Sequence, residues 1–175
     1  INIWSAGCAM GQEPYTIAIL LRDSMGPMIY RNVRIYATDL DPERTFCDVV
    51  TMGRYPVADL QRVPSDIVSR HFEPDRSRTG YFRVVEEIRR RVQFVRHDLL
   101  SFEPVRTGFN LIVCKNVLLH FTPEERVSVL RMFYSALIPG GFLVTEQTQK
   151  MPAGLDGWFI PVVQNAQIFQ KDMKS

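Results

Sequence analysis

The chain has 175 residues, 46% hydrophobic and 23% charged, with a formal net charge of +2. That describes one globular domain with room for a real core, and no basic stripe with interleaved aromatics points to nucleic acid. Three cysteines, Cys8, Cys47 and Cys114, are odd in number, far apart and without a C-x-x-C pair, which argues against a disulfide framework or a metal site and for a reducing, cytoplasmic setting. No apolar run is long enough for a membrane span and no leader pattern precedes the first strand signal, so membrane insertion is not expected.

In chain order, residues 1–6 read as an apolar strand and residues 13–23 as an amphipathic helix with Glu13 and Pro14 in its first turn. Residues 24–32, holding Gly26 and Pro27, connect to a second strand over 33–38, and a helix is predicted over 42–50 with Asp41 as its cap. After Gly53-Arg54-Tyr55-Pro56 the pattern changes to a short helix near 65–71 and two short strands over 81–86 and 88–91. Residues 54–91 therefore read as a small inserted subdomain within one domain spanning 1–175. Residues 92–97 rejoin the main sheet, 109–114 form a buried strand, 123–137 a helix stopped by Pro139-Gly140-Gly141, and 142–146 the next strand. Residues 158–163 and 166–171 close the fold as an antiparallel pair. Alternating strand and helix signals predict an α/β domain around a mostly parallel sheet.

The stretch Ser5-Ala6-Gly7-Cys8-Ala9-Met10-Gly11-Gln12-Glu13 carries the strongest chemical signal, because small residues close a strand and an acid opens the following helix. Gly7 and Gly11 permit a sharp turn and close approach of a ligand. The spacing is not G-x-G-x-x-G, and an acid at a helix start disfavours phosphate. A ligand with a cationic end fits better; S-adenosylmethionine carries a sulfonium and an ammonium, and Glu13 is placed to meet the ammonium. Asp39 ends the second strand, where a doubly wound sheet puts the acceptor for ribose hydroxyls. Asp98 follows the 92–97 strand, where it either accepts from an adenine amino group or caps a turn before Ser101.

Trp4 through Ala18, then Ala37-Thr38-Asp39-Leu40-Asp41, then Val113-Cys114-Lys115-Asn116-Val117-Leu118-Leu119-His120-Phe121 together resemble the CheR family of chemotaxis-receptor glutamate methyltransferases, in the family's order and over nearly the whole chain. The resemblance implies a Rossmann-like S-adenosylmethionine-dependent methyltransferase fold with a mixed, mostly parallel sheet and a small inserted β-subdomain. It implies a cytoplasmic enzyme that makes glutamyl methyl esters on the cytoplasmic region of chemoreceptors and releases S-adenosylhomocysteine. It assigns cofactor binding to Ala6, Gly7, Cys8, Glu13, Asp39, Leu40, Asp98, Leu99, Lys115 and Asn116, and places Asn116 and His120 at the reacting centre. Three positions depart from the family pattern: Asp98 stands where asparagine is common, Lys115 where arginine is usual, and His120 where a tyrosine borders the transferring methyl.

Family members also carry a helical domain before the first strand, with a linker arginine near the methyl group. This sequence begins inside that strand, which leaves a catalytic-domain fragment or a stand-alone relative as the two readings. The arginines of residues 75–91, namely Arg76, Arg78, Arg83, Arg89, Arg90 and Arg91, are expected either to attract acidic receptor helices or to form a solvated hairpin. Two other functions remain open: a non-catalytic module that binds S-adenosylmethionine or S-adenosylhomocysteine, and a methyltransferase for a different acceptor.

Overall fold

The computed structural model describes residues 1–146 and 150–173. Its centre is strand β1 (Asn2–Ala6), whose alternate side chains feed two cores: Ile3 packs with helix α1 (Gln12–Ser24) on one face, and Trp4 with helix α6 (Pro123–Ala136) on the other. Helix α1 buries Pro14, Tyr15, Ala18 and Ile19, a three-to-four-residue spacing that gives it one apolar stripe. At α6, Thr122 and Glu125 form a reciprocal capping box, which fixes where that helix begins.

On one side of β1 lie β2 (Arg34–Asp39) and β6 (Val92–Arg96); on the other lie β7 (Phe109–Cys114) and β8 (Leu137–Thr145), all parallel. Strand β10 (Ile168–Lys171) runs antiparallel to β8 and to β9 (Phe159–Pro161), giving the order β6-β2-β1-β7-β8-β10-β9. The chain travels outward from β1 to β6 and then returns to β7 on the opposite side. Strand order thus reverses between β1 and β7, and in such sheets a crevice opens at the carboxyl ends there.

A second, three-stranded antiparallel sheet has the order β3-β5-β4, from β3 (Arg54–Pro56), β4 (Phe72–Pro74) and β5 (Tyr81–Val84). Helix α4 (Ser65–His71) falls where the residue pattern predicts a short helix, and it leads directly into β4, which that pattern does not show.

Several boundaries differ from the sequence reading. The segment expected to be a strand at 88–91 is instead the end of helix α5 (Glu86–Arg89) and the turn after it, and two acids in the helix's first turn and Arg89 in its last complement the helix dipole. Helix α3 (Thr45–Met52) starts later than Pro42, because Asp41 and Arg44 adopt left-handed backbone at φ 42° and 57°. Asp41 still caps it: its buried carboxylate accepts from the Phe46 and Cys47 N–H groups, both at 3.0 Å. A short helix, α2 (Pro27–Tyr30), occupies the connection read as irregular, and β8 begins at Leu137, straight from the end of α6.

Candidate functional site

The loop after β1 is moulded against its neighbours. Gly7 and Cys8 both donate their backbone N–H to the Thr38 carbonyl, at 2.8 and 2.9 Å, which ties the loop to the end of β2. Gly7 has φ 80°, and a Cβ there would fall 2.1 Å from Val117 Cγ2, so only glycine lets the turn lie against the segment after β7. Ala9, itself left-handed at φ 44°, donates to Asp39 Oδ2 at 2.9 Å. The Tyr55 hydroxyl in β3 donates to the Met10 carbonyl at 2.9 Å, coupling the small sheet to the same loop.

A cleft of ≈ 740 Å³ opens at the carboxyl ends of β1, β2 and β7, lined by Gly7, Cys8, Glu13, Asp39, Lys115 and Asn116 among others. Beside it lies a hollow of ≈ 300 Å³ lined by Leu40, Asp98, Leu99 and His120. Gly7, Asp39 and Val117 line both, so these are two arms of one space that meet at Gly7 and Asp39. Of the sequence-derived candidates, Ala6 lines neither arm; it is fully buried in the core beneath the loop. His120 stands in the smaller arm with Asp98, whereas Glu13, Lys115 and Asn116 share the larger one.

Each arm carries carboxylate acceptors. Burial pushes the Glu13 carboxyl above its ordinary value, against the opposing pull of the Ser5 hydroxyl, which donates to Oε1 at 2.7 Å, and of the nearby Lys115 charge. A carboxylate in this setting gains from a cationic ligand group. Asp39 accepts from Ala9 on Oδ2 and from the Asp41 N–H on Oδ1 at 3.4 Å, and a carboxylate's four or so lone-pair positions leave room for hydroxyl donors. The Asp98 Oδ1 accepts from the Leu100 N–H at 2.9 Å and so caps the turn Leu99–Ser101 while the residue still lines the smaller arm. The capping reading of Asp98 is therefore met, and its place in the lining leaves the residue beside the space where an adenine acceptor is expected.

Glu146 at the end of β8 is a residue that the sequence reading passed over. It is only 5% exposed, its Oε2 accepts from the Asn116 N–H at 3.1 Å, and its Oε1 has no partner among the described residues. Asn116 is left-handed at φ 60°, a conformation asparagine tolerates, and Glu146 holds it there. The signal that singled out Asp39 and Asp98, an acid at a strand's carboxyl end, was also present at Glu146. Val117 was missed for a different reason: nothing local marks an aliphatic side chain as the wall of a cleft.

The thiols beside the site stay protonated. Burial, reinforced by the Asp39 charge, pushes Cys8 up to about 12, and burial also raises Cys114 far above its ordinary value. Neither is a nucleophile at neutral pH.

The sequence model described as "CheR methyltransferase, SAM binding domain" matches residues 1–168. The chain belongs to the CheR methyltransferase family. This CheR domain is 34% identical over 143 residues to a chemotaxis protein methyltransferase of Listeria innocua, covering 82% of the chain and 51% of that protein. It is 32% identical over 180 residues to one of Vibrio parahaemolyticus, covering 98% of the chain and 62% of that protein. The CheR domain thus spans about half the length of such relatives. A candidate O-methyltransferase structure from Nostoc punctiforme superposes with a TM-score of 0.51 at 12% identity, over 83% of the CheR domain and 32% of that chain, and shares the fold. S-adenosylmethionine is the cofactor of this domain, and the residues present suit it. The Gly7 contour admits close backbone approach, Asp39 stands between the two arms, and Glu13 offers a half-buried carboxylate for a cation. Among the described residues no cluster of His, Cys, Asp or Glu has the make-up of a metal site, and no helix is long and apolar enough to cross a membrane.

Proposed function

We propose that this CheR domain transfers a methyl group from S-adenosylmethionine to glutamate side chains in the cytoplasmic region of chemoreceptors, forming glutamyl methyl esters. The observation that carries this reading is the pairing of the family match with a cleft whose open side presents Lys115 and Asn116 next to half-buried Glu13. In this reading Asp39 receives the ribose hydroxyls, Asp98 and the backbone of Leu99 receive the adenine, and Glu13 receives the ammonium. Leu40 and Cys8 supply apolar walls. When bound, S-adenosylmethionine supplies an electrophilic methyl group that an acceptor carboxylate takes by in-line displacement while the sulfur keeps the electron pair.

A glutamate carboxyl is already ionised at neutral pH, so this acceptor needs alignment more than deprotonation. Exposed Lys115 draws the acceptor carboxylate to the cleft, and the Asn116 amide, its backbone fixed by Glu146, is the donor that orients it. His120 in the smaller arm serves best as a neutral imidazole, since a second positive charge near a sulfonium is repulsive.

The inserted sheet offers two edge strands, β3 and β4, for a receptor tail to extend. Its arginines do not form one free basic face. Arg89 donates to the Val84 carbonyl at 3.1 Å, Arg83 to the Met52 carbonyl at 3.1 Å, and Arg78 stacks over Tyr81 with its guanidinium 3.9 Å from the ring centroid. Receptor attraction therefore falls on the edges and on Lys115 more than on that arginine run.

The test is incubation with labelled S-adenosylmethionine and receptor cytoplasmic fragments, followed by alkaline release of methanol. Base-labile label on receptor glutamates supports the reading. Label on another protein or a metabolite identifies a methyltransferase of different specificity, and cofactor binding with no transfer in a full lysate identifies a binding module; either result overturns the proposal.

A further inference from the structure

At the opposite end of the sheet from the cofactor cleft, the starts of β2 and β6 enclose a cavity of ≈ 190 Å³ lined by Arg34, Ile35, Tyr36, Arg90, Arg91 and Gln93. Ile35 is in register with Val92 and Tyr36 with Gln93, so Arg34 and Arg91 stand side by side where the two strands begin. Arg106, outside the lining, holds the Tyr36 wall by donating to its hydroxyl at 2.6 Å, with its guanidinium 5.2 Å from that ring's centroid.

The positive charge here has no counterpart. No carboxylate lines the cavity, and among the described residues none of Arg34, Arg90, Arg91 and Arg106 joins an ion pair. Glu87, whose charge reaches Tyr30 together with those of Arg90 and Arg91, is already held by Arg22 at 2.7 Å. Arg91 is anchored by donation to the Arg31 carbonyl at 2.7 Å, and its buried Nε has no acceptor among the described residues. A buried guanidinium N–H with no partner is costly, and three like charges lining one small cavity add to that cost unless an anion enters.

We propose that this cavity binds the phosphate group of a small phosphorylated ligand, at a site separate from methyl transfer. Guanidinium forks match the tetrahedral oxygens of a phosphate, and several cations around one small concavity suit a dianion better than a single carboxylate. Arg34, Arg90 and Arg91 line one concavity, whereas tracking of a nucleic-acid backbone requires a stripe. Tyr36 and Gln93 form the wall against which the group bearing the phosphate would lie.

The test is titration of the chain with inorganic phosphate and pyrophosphate at constant ionic strength, with acetate as the control, followed by calorimetry and thermal melting. Saturable binding and a raised melting temperature with both phosphates, but not with acetate, are expected. Arg34 and Arg90 are exposed, so Arg34→Ala and Arg90→Ala should fold normally, and each should weaken phosphate binding by about tenfold or more. Affinity for S-adenosylhomocysteine should stay at the wild-type value in both variants. Arg34→Lys, which keeps the charge but not the fork, should retain weakened binding. Equal effects of acetate and phosphate, phosphate affinity unchanged in the alanine variants, or competition between phosphate and S-adenosylhomocysteine would each overturn the proposal.

Discussion

Replacing Gly7 by alanine should damage both the fold and the cofactor site, and a second substitution should repair part of that damage. A non-glycine residue at φ 80° pays roughly 1–2 kcal/mol for left-handed backbone. The new Cβ also falls 2.1 Å from Val117 Cγ2, an overlap that forces the loop or Val117 to move, and such overpacking costs about 1–3 kcal/mol. The expected total is about 2–5 kcal/mol, read as a lower urea midpoint with an unchanged slope. Val117 lines both arms of the site, so its displacement should also weaken S-adenosylhomocysteine binding in calorimetry. Val117→Ala removes the clashing methyl and leaves the Val117 Cβ at 3.3 Å, so the double variant should recover the overpacking part and keep only the backbone penalty. A double-mutant cycle should therefore give a coupling of about 1–3 kcal/mol. Gly7→Ala within about 0.5 kcal/mol of wild type, or a cycle with no coupling, would refute this packing account of the loop.

Asp39→Ala should weaken S-adenosylhomocysteine binding by about 1–3 kcal/mol through lost charge-assisted hydrogen bonds, and wild-type affinity in calorimetry would remove Asp39 from the site. Glu13 has its carboxyl raised by burial, so above the ordinary carboxylate range the folded chain holds more protons than the unfolded one and stability declines as pH rises through that window. Glu13→Gln should flatten this decline in thermal melts, raise the melting temperature of the ligand-free protein at neutral pH, and weaken S-adenosylhomocysteine binding. A variant with no change in its pH profile would show that Glu13 pays no burial cost.

Much of this site was legible because strand ends are legible. Alternating apolar residues fix where β2 stops, and the acid that follows, Asp39, must then stand at the sheet's carboxyl edge. The glycines announced the loop, although not its contact with Val117, which comes from a segment more than a hundred residues away in sequence. Strands β3 and β4 escaped notice because three residues are too few to show a period; they exist because β5 pairs with both. Helix α5 was misread because Ile88 and the arginines after it form no helical stripe of their own, and only the packing of Ile88 into the core beneath α1 fixes the turn. The arginine run read equally as a basic face or as a solvated hairpin, because sequence carries no record of which guanidinia the backbone carbonyls have already taken.

The most direct test of the central claim, a cofactor site at the carboxyl ends of β1, β2 and β7, is backbone amide mapping by NMR during titration with S-adenosylhomocysteine. The amides of Gly7, Ala9, Asp39, Leu99 and Asn116 should shift together and saturate at one dissociation constant, while those around the cavity of Arg34 and Arg90 stay still. Saturable shifts confined to other parts of the molecule, such as the ≈ 380 Å³ apolar groove where Ile19, Leu20, Ile67 and Phe72 lie between α1 and α4, would contradict the assignment.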